Sequence, residues 1–342
     1  MTGPGWGYRR GMPLTRSLDD ATVVITGASS GIGTATAYAL ARRGADVVLA
    51  AHTEAVLRQV AARCRRLGGR ALVVPTDVTD PEAVERLAAR AVAEFGRIDA
   101  WINNATVSAV GLFDEIPATE FRRVVEVNLL GTVYGTKAAL RWLDAAGGGV
   151  LVNNASVLAE VAMPYQSAYN AARHGIRGLN DTVRQELRVT GRNHISLCTV
   201  LPAAVDTPFF RRAANRTGRE LAPPPPVHPP EVVAETIVRL LRRPRREAYA
   251  GGRARLLGLQ WRLAPALVER VAGWFTARTR FGPGVRLDTA GNLLPPDATA
   301  GPAGGWPGRH RQLVRLTAFG LAAAGTAVGT AAALSRRSRA GR

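Results

Sequence analysis

The sequence predicts an α/β fold, a doubly wound parallel sheet of about seven strands with a C-terminal helical tail. Three observations predict it. Short β-branched runs alternate with helix-like stretches from residue 21 to residue 252. Those runs are apolar throughout, as in strands covered on both faces. The polar motifs fall just after strand ends, the edge at which such sheets hold ligands.

In order, residues 1–20 are rich in Gly, Pro and Arg and are expected to be a flexible N-terminus; they hold no apolar run, so no signal peptide is expected. ATVVIT (21–26) reads as a strand, Gly27-Ala-Ser-Ser-Gly31-Ile-Gly33 as a turn, and TATAYALARRG (34–44) as a helix ending at Gly44. Glycines between a buried strand and a helix N-terminus let the backbone approach a diphosphate, and the helix start supplies N–H groups and positive potential. The spacing is G-x3-G-x-G, and a plain turn is the alternative. Further strands are expected at 45–51, 71–75, 98–105, 149–156 and 194–202, with EAYAGG (247–252) closing the sheet. Helices are expected at 53–67, 81–96, 118–146, 165–190 and 230–243.

The stretch SVLAEVAMPYQSAYNAAR (156–173) carries the chemistry. A serine hydroxyl, Ser156, precedes a phenol, Tyr169, and a permanent cation, Arg173, follows that phenol by one helical turn. A phenol beside a fixed cation gives up its proton more readily, which suits acid–base work. A serine beside it can hold a carbonyl or alcohol oxygen. The same spacing occurs on ordinary surface helices, so the triplet needs the other motifs.

Taken together, TGASSGIG (26–33), Asp77-Val78, Asn103-Asn104-Ala105, Asn128, Ser156, Tyr169 and PAAVDTP (202–208) resemble the short-chain dehydrogenase/reductase family over about residues 20–252. The resemblance implies a Rossmann-type domain that binds NAD(H) or NADP(H) and transfers hydride between nicotinamide and a small carbonyl or alcohol. It implies that Gly27, Ser29, Ser30, Gly31, Ile32 and Gly33 cradle the diphosphate, and that Tyr169 is the general acid or base. Ser156 would hold the substrate oxygen, and Arg173 the ribose. Asn128 would support a water in the proton path, or else serve only as a buried Asn bonded to helix backbone. Asp77, with Val78, would meet the adenine edge, or else cap the next turn. Asn104 and Ala105 would line the cofactor, and Pro202, Val205 and Thr207 would hold its carboxamide end. No metal is expected. The two long helices resemble those that pair subunits, so a homo-oligomer is expected.

Three positions depart from the family pattern. Arg173 stands where the family has lysine, which keeps the charge but does not readily release a proton. Thr106 replaces the glycine after Asn-Asn-Ala, and Ala203 replaces the glycine after Pro202; each adds bulk near the cofactor. The alternative to an enzyme is therefore a non-catalytic dinucleotide-binding scaffold or sensor. The end of the second strand reads Ala50-Ala51-His52-Thr53, without the carboxylate that would bond a ribose 2′-OH, so NADP(H) is favoured over NAD(H). His52 would face the added phosphate, or else be a solvent-facing loop residue.

Charge and composition mark the rest. The chain of 342 residues carries a formal charge of +19, and residues 251–342 hold fourteen arginines against three acids. Lys137 is the only lysine, which gives an arginine at 173 an ordinary compositional origin. Two isolated cysteines, Cys64 and Cys198, read as reduced core residues and fit a cytoplasmic catalytic domain. Phe209 and Phe210, followed by the stiff run Pro223–Pro226, suggest an apolar substrate. Residues 253–280 read as an amphipathic helical extension broken at Pro265, suited either to a membrane interface through Trp261, Arg262 and Trp274 or to covering the mouth of the site. Residues 281–312 read as a Gly/Pro-rich linker. Residues 313–335 contain an uncharged stretch, Leu316–Leu334, that is a candidate transmembrane helix with a Gly325-x-x-x-Gly329 pattern; a soluble Ala-rich helix or disorder is the alternative. A basic tail, 336–342, follows, and membrane association is expected through the C-terminal tail that contains Leu316–Leu334. A nucleic-acid partner is not expected, because no motif or aromatic pattern supports one.

Overall fold

The computed structural model describes residues 12–251, 254–279, 281–293 and 301–306. The seven strands of the main sheet are β1 (Thr22–Thr26), β2 (Asp46–Ala51), β3 (Ala71–Pro75), β4 (Ala100–Asn103), β5 (Gly149–Asn154), β6 (Ile195–Pro202) and β7 (Glu247–Ala250). They lie in the order β7-β6-β5-β4-β1-β2-β3, and every pairing is parallel. The chain reverses its winding between β1 and β4, which opens a crevice at their C-terminal ends.

Helices cover both faces. On one face lie α1 (Gly31–Ala41), α2 (Glu54–Arg66) and, placed later in the chain, the helix Pro230–Arg242. On the other lie α3 (Pro81–Phe95), a helix that starts as α4 (Ala118–Val125) and continues as α5 (Gly131–Ala145), and α6 (Ser167–Val189). We name Pro230–Arg242 α7. The period-two geometry of a strand sorts the side chains: Val23 and Ile25 of β1 point into the first layer, Val24 into the second. This is why the strands read as continuous apolar runs. Between α4 and α5 a π-helical turn, Glu126–Leu130, centres on Asn128.

Cys64 in α2 and Cys198 in β6 are free and buried, and burial pushes each thiol up to about 12. At pH 8 about one thiol in ten thousand is then thiolate, so the native chain is expected to be inert to Ellman's reagent and to release two equivalents on unfolding. Native-state release of even one equivalent would show that a strand or helix edge opens.

Order begins before the sheet. Leu14 and Leu18 are buried, and the Leu14 N–H donates to Leu241 O at 3.1 Å, so part of the expected flexible N-terminus is packed. The extension after β7 forms α8 (Ala254–Leu263) and α9 (Pro265–Thr279), with the break at the expected proline. It docks on the domain: Arg262 donates to Glu160 Oε1 at 3.0 Å, and Glu160 also takes Arg177 and the Tyr249 hydroxyl. Within the stretch read as a linker, Phe281–Val285 pairs antiparallel with Arg219–Leu221, and Thr289 bridges Asn215. Gly/Pro composition hides this, because the pairing partner is distant in sequence. Leu316–Leu334 and the basic tail lie outside the described residues. Among the described residues, no helix is long and apolar enough to cross a membrane.

Candidate active site

The glycine turn is built by close approach. Gly27 and Gly31 have φ of +65° and +56°, the left-handed region that other residues resist. A Cβ at Gly27 would sit 2.7 Å from Ala105 Cα, so the turn lies flat against the end of β4. Ser30 precedes α1 in extended conformation and makes no side-chain cap, which leaves first-turn amides of the helix as donors. One of them, Gly31 N–H, donates to Gly301 O at 3.0 Å.

A belt of amides joins this turn to the catalytic stretch. Asn104 Nδ2 donates to the carbonyls of Thr26 and Gly27 at 3.1 and 3.2 Å, and Asn154 Nδ2 donates to Asn104 Oδ1 at 2.8 Å. The Asn154 carbonyl then accepts from Arg173 Nη1 at 2.8 Å, and Arg173 Nη2 donates to Thr106 Oγ1. The guanidinium stacks 4.6 Å from the centroid of the Tyr169 ring, whose other neighbour is the Phe209 ring at 5.5 Å. Tyr169, Arg173 and Ser156 are all buried. Ser156 caps a short turn by accepting from Leu158 N–H at 3.1 Å, which leaves its own hydroxyl hydrogen to donate.

One cleft of about 330 Å3 gathers these groups. Gly27, Ser29, Ser30, Gly31, Ile32, His52, Val78, Asn104, Ala105, Ser156, Tyr169, Arg173, Pro202, Val205 and Thr207 all line it. Three expected site residues do not. Gly33 sits behind the turn, against the Gly27 carbonyl. Asn128 spends its side chain on the Val107 peptide, accepting from its N–H and donating to its O, both at 2.9 Å. Asp77 accepts from the N–H and hydroxyl of Thr79 at 2.9 and 2.7 Å. Burial pushes the Asp77 carboxyl up, but the Thr79 bonds with the nearby His52 and Arg123 outweigh it and hold it below its ordinary value.

Other residues line the cleft beyond the expected site residues, and among them Phe275 comes from the 253–280 extension that the sequence offered as a cover for the mouth. Phe275 of α9, Asn292 and Leu293 close one wall, with Leu158, Met163 and Gln166 nearby. Leu293 is held there because its carbonyl accepts from Arg123 Nε at 3.1 Å. Gly301–Trp306 crosses the outer edge. The Asp206 carboxylate accepts from Gly304 N–H at 3.0 Å and Trp306 N–H at 3.2 Å, and the Trp306 indole donates to Thr207 O at 3.2 Å. No local pattern signals that residues about a hundred positions later close over the PAAVDTP loop.

The residues present fit a dinucleotide. The glycines clear a cradle that a Cβ would fill, the cradle lies at the start of α1, and the cleft runs from the end of β2 past Tyr169. Fold and site together define a dinucleotide-dependent oxidoreductase. A family model described as short chain dehydrogenase matches residues 21–217. An uncharacterized oxidoreductase, YxnA of Bacillus subtilis (strain 168), is 34% identical over 258 residues, 75% of this chain and 72% of that protein. Cis-4-hydroxycyclohexanecarboxylate dehydrogenase of Sinomonas cyclohexanicum is 38% identical over 66% of this chain and 90% of its own length. The X-ray structure of an alcohol dehydrogenase from the archaeon Thermococcus sibiricus, complexed with 5-hydroxy-NADP, superposes with a TM-score of 0.59 at 28% identity, over 67% of this chain and 95% of that one. The chain belongs to the short-chain dehydrogenase family. It is an NAD(P)-dependent oxidoreductase acting on alcohol or carbonyl groups.

Proposed function

We propose that the chain is an NADP(H)-dependent oxidoreductase for an apolar carbonyl or alcohol, with Tyr169 as general acid and base. The observation that most supports it is the meeting of the α1 glycine turn, Ser156, Tyr169 and Arg173 in one cleft that also presents the apolar side chains of Leu158, Met163, Phe209 and Phe275. NADPH held in that cleft would supply the hydride. Tyr169 gives its hydroxyl proton to the substrate oxygen in reduction and takes it back in oxidation. Ser156 donates its free hydroxyl hydrogen to the same oxygen. Arg173 keeps a fixed positive charge against the ring on which negative charge grows as that proton leaves. Val107, Leu158, Met163, Phe209, Phe275 and Leu293 exclude water and favour an apolar substrate.

The NADP(H) preference rests on the end of β2, where Ala51, His52 and Thr53 line the cleft without a carboxylate of their own. The similar Thermococcus sibiricus enzyme carrying 5-hydroxy-NADP supports the same reading. Asn104 and Ala105 line the cofactor in this proposal, Val78 meets its adenine end, and Pro202, Val205 and Thr207 hold its carboxamide.

Full-length protein assayed with NADPH and NADH against aliphatic aldehydes and cyclic ketones tests this. Turnover with kcat/KM about tenfold or more higher for NADPH is expected. Tight NADPH binding with no turnover across the panel would support the scaffold reading, which the engagement of both Arg173 Nη atoms by protein oxygens favours.

A further inference from the structure

Two of the departures from the family pattern touch each other. Arg173 is 2% exposed, so its guanidinium must find acceptors within the protein or cofactor. It has two: the Asn154 carbonyl for Nη1 and the Thr106 hydroxyl for Nη2. Its Nε is buried and has no hydrogen-bond partner among the described residues. The guanidinium is therefore held at two points, with its carbon over the Tyr169 ring. A lysine needs no such hold, because an ammonium is a compact charge with freely rotating donors. A glycine at 106 offers no side-chain acceptor. With glycine there, Arg173 would keep a single tether at Asn154 and could swing off the ring.

We infer that Thr106 is a positioning residue, which holds the Arg173 guanidinium over the Tyr169 ring and lets an arginine serve where the family uses lysine. Thr106 and Arg173 are one functional pair: an arginine at 173 needs the hydroxyl at 106, whereas a lysine there does not. The inference rests on the proposed role of Tyr169 and Arg173 in proton transfer.

The test compares Thr106→Val, Thr106→Ser, Arg173→Lys and Thr106→Gly/Arg173→Lys, with Tyr169→Phe as reference, all in the full chain. Valine keeps the shape of threonine and loses only the hydroxyl. The readouts are NADPH oxidation with the aldehyde and ketone panel, NADPH affinity by nicotinamide fluorescence, and thermal melting to confirm folding. Thr106→Val is expected to lower kcat about tenfold or more with KM changed less than about threefold, and Thr106→Ser to stay within about twofold of wild type. The glycine–lysine double variant is expected to retain at least about fivefold more activity than the product of its single changes predicts, with Thr106→Gly measured alongside. Without turnover on the panel, the same contrast is read in NADPH affinity: about fivefold weaker binding for valine and unchanged binding for serine.

Thr106→Val within twofold of wild type, serine as poor as valine, or strictly multiplicative effects would overturn the pairing while a dead Tyr169→Phe left the catalytic reading standing. An active Tyr169→Phe would overturn both.

Discussion

Tyr169→Phe is expected to lower turnover by about 10²- to 10⁴-fold while NADPH affinity stays within about threefold. The change removes one oxygen. The ring remains to fill its place between the Arg173 guanidinium and the Phe209 ring, so the packing that holds α6 against the cleft is kept. Melting should therefore shift by no more than a few degrees, and a folded, cofactor-binding, inactive protein is the expected result. Two outcomes would count against the proposed mechanism. Retained turnover would place the proton donor elsewhere, and Ser156 would be the next hydroxyl to replace. Loss of NADPH binding together with turnover would make the phenol a cofactor ligand first. The separation of kcat from affinity is what identifies an acid–base role, because that role acts only while the proton moves.

The fold was legible because burial on both faces leaves a strong trace. Val23, Val24 and Ile25 are all apolar since each has a helix layer to face, and the same holds for the runs of β2 and β6. The polar residues of the site were legible for a related reason: they interrupt those runs at their ends, as Asn103-Asn104 does after Trp101-Ile102. What was not legible depends on partners far along the chain. The role of Arg262 follows from Glu160, 102 residues earlier, which no spacing rule connects. Asn128 follows from a π-helical turn that brings its amide to the Val107 peptide; sequence leaves its bonding to backbone and its water role side by side. Thr106 and Arg173 were each visible as departures, yet only coordinates show that one bonds the other. The place of Leu293 in the wall has no local signature, since a leucine in a Gly/Pro-rich stretch is an ordinary feature, whereas the buried Phe275 belongs to the extension that the sequence offered either to a membrane interface or as a cover for the mouth.

Gly33→Ala is expected to reduce NADPH affinity by about a hundredfold or more and to lower stability by about 1–3 kcal/mol. Gly33 lines no part of the cleft, so its effect must pass through the turn in front of it. An added Cβ would overlap the Gly27 carbonyl oxygen and lie 2.7 Å from Asn104 Nδ2 and 2.8 Å from the Gly27 carbonyl carbon. Neither neighbour can yield cheaply. Gly27 is backbone, fixed at positive φ and pressed against Ala105, and Asn104 Nδ2 is bound to the Thr26 and Gly27 carbonyls. The turn must move as a unit, which shifts the cradle relative to the first turn of α1. Gly178→Ala gives the contrast. That glycine is on an exposed position of α6 with ordinary helical φ, and nothing lies within 4 Å of an added Cβ. Alanine there is expected to stabilise by about 0.5–1 kcal/mol, because helix propensity is then the only effect left. Thermal melts and NADPH titrations on the two variants check both signs. If Gly33→Ala melts and binds like wild type, the turn is softer than its contacts imply, and close approach would no longer account for a glycine at position 33.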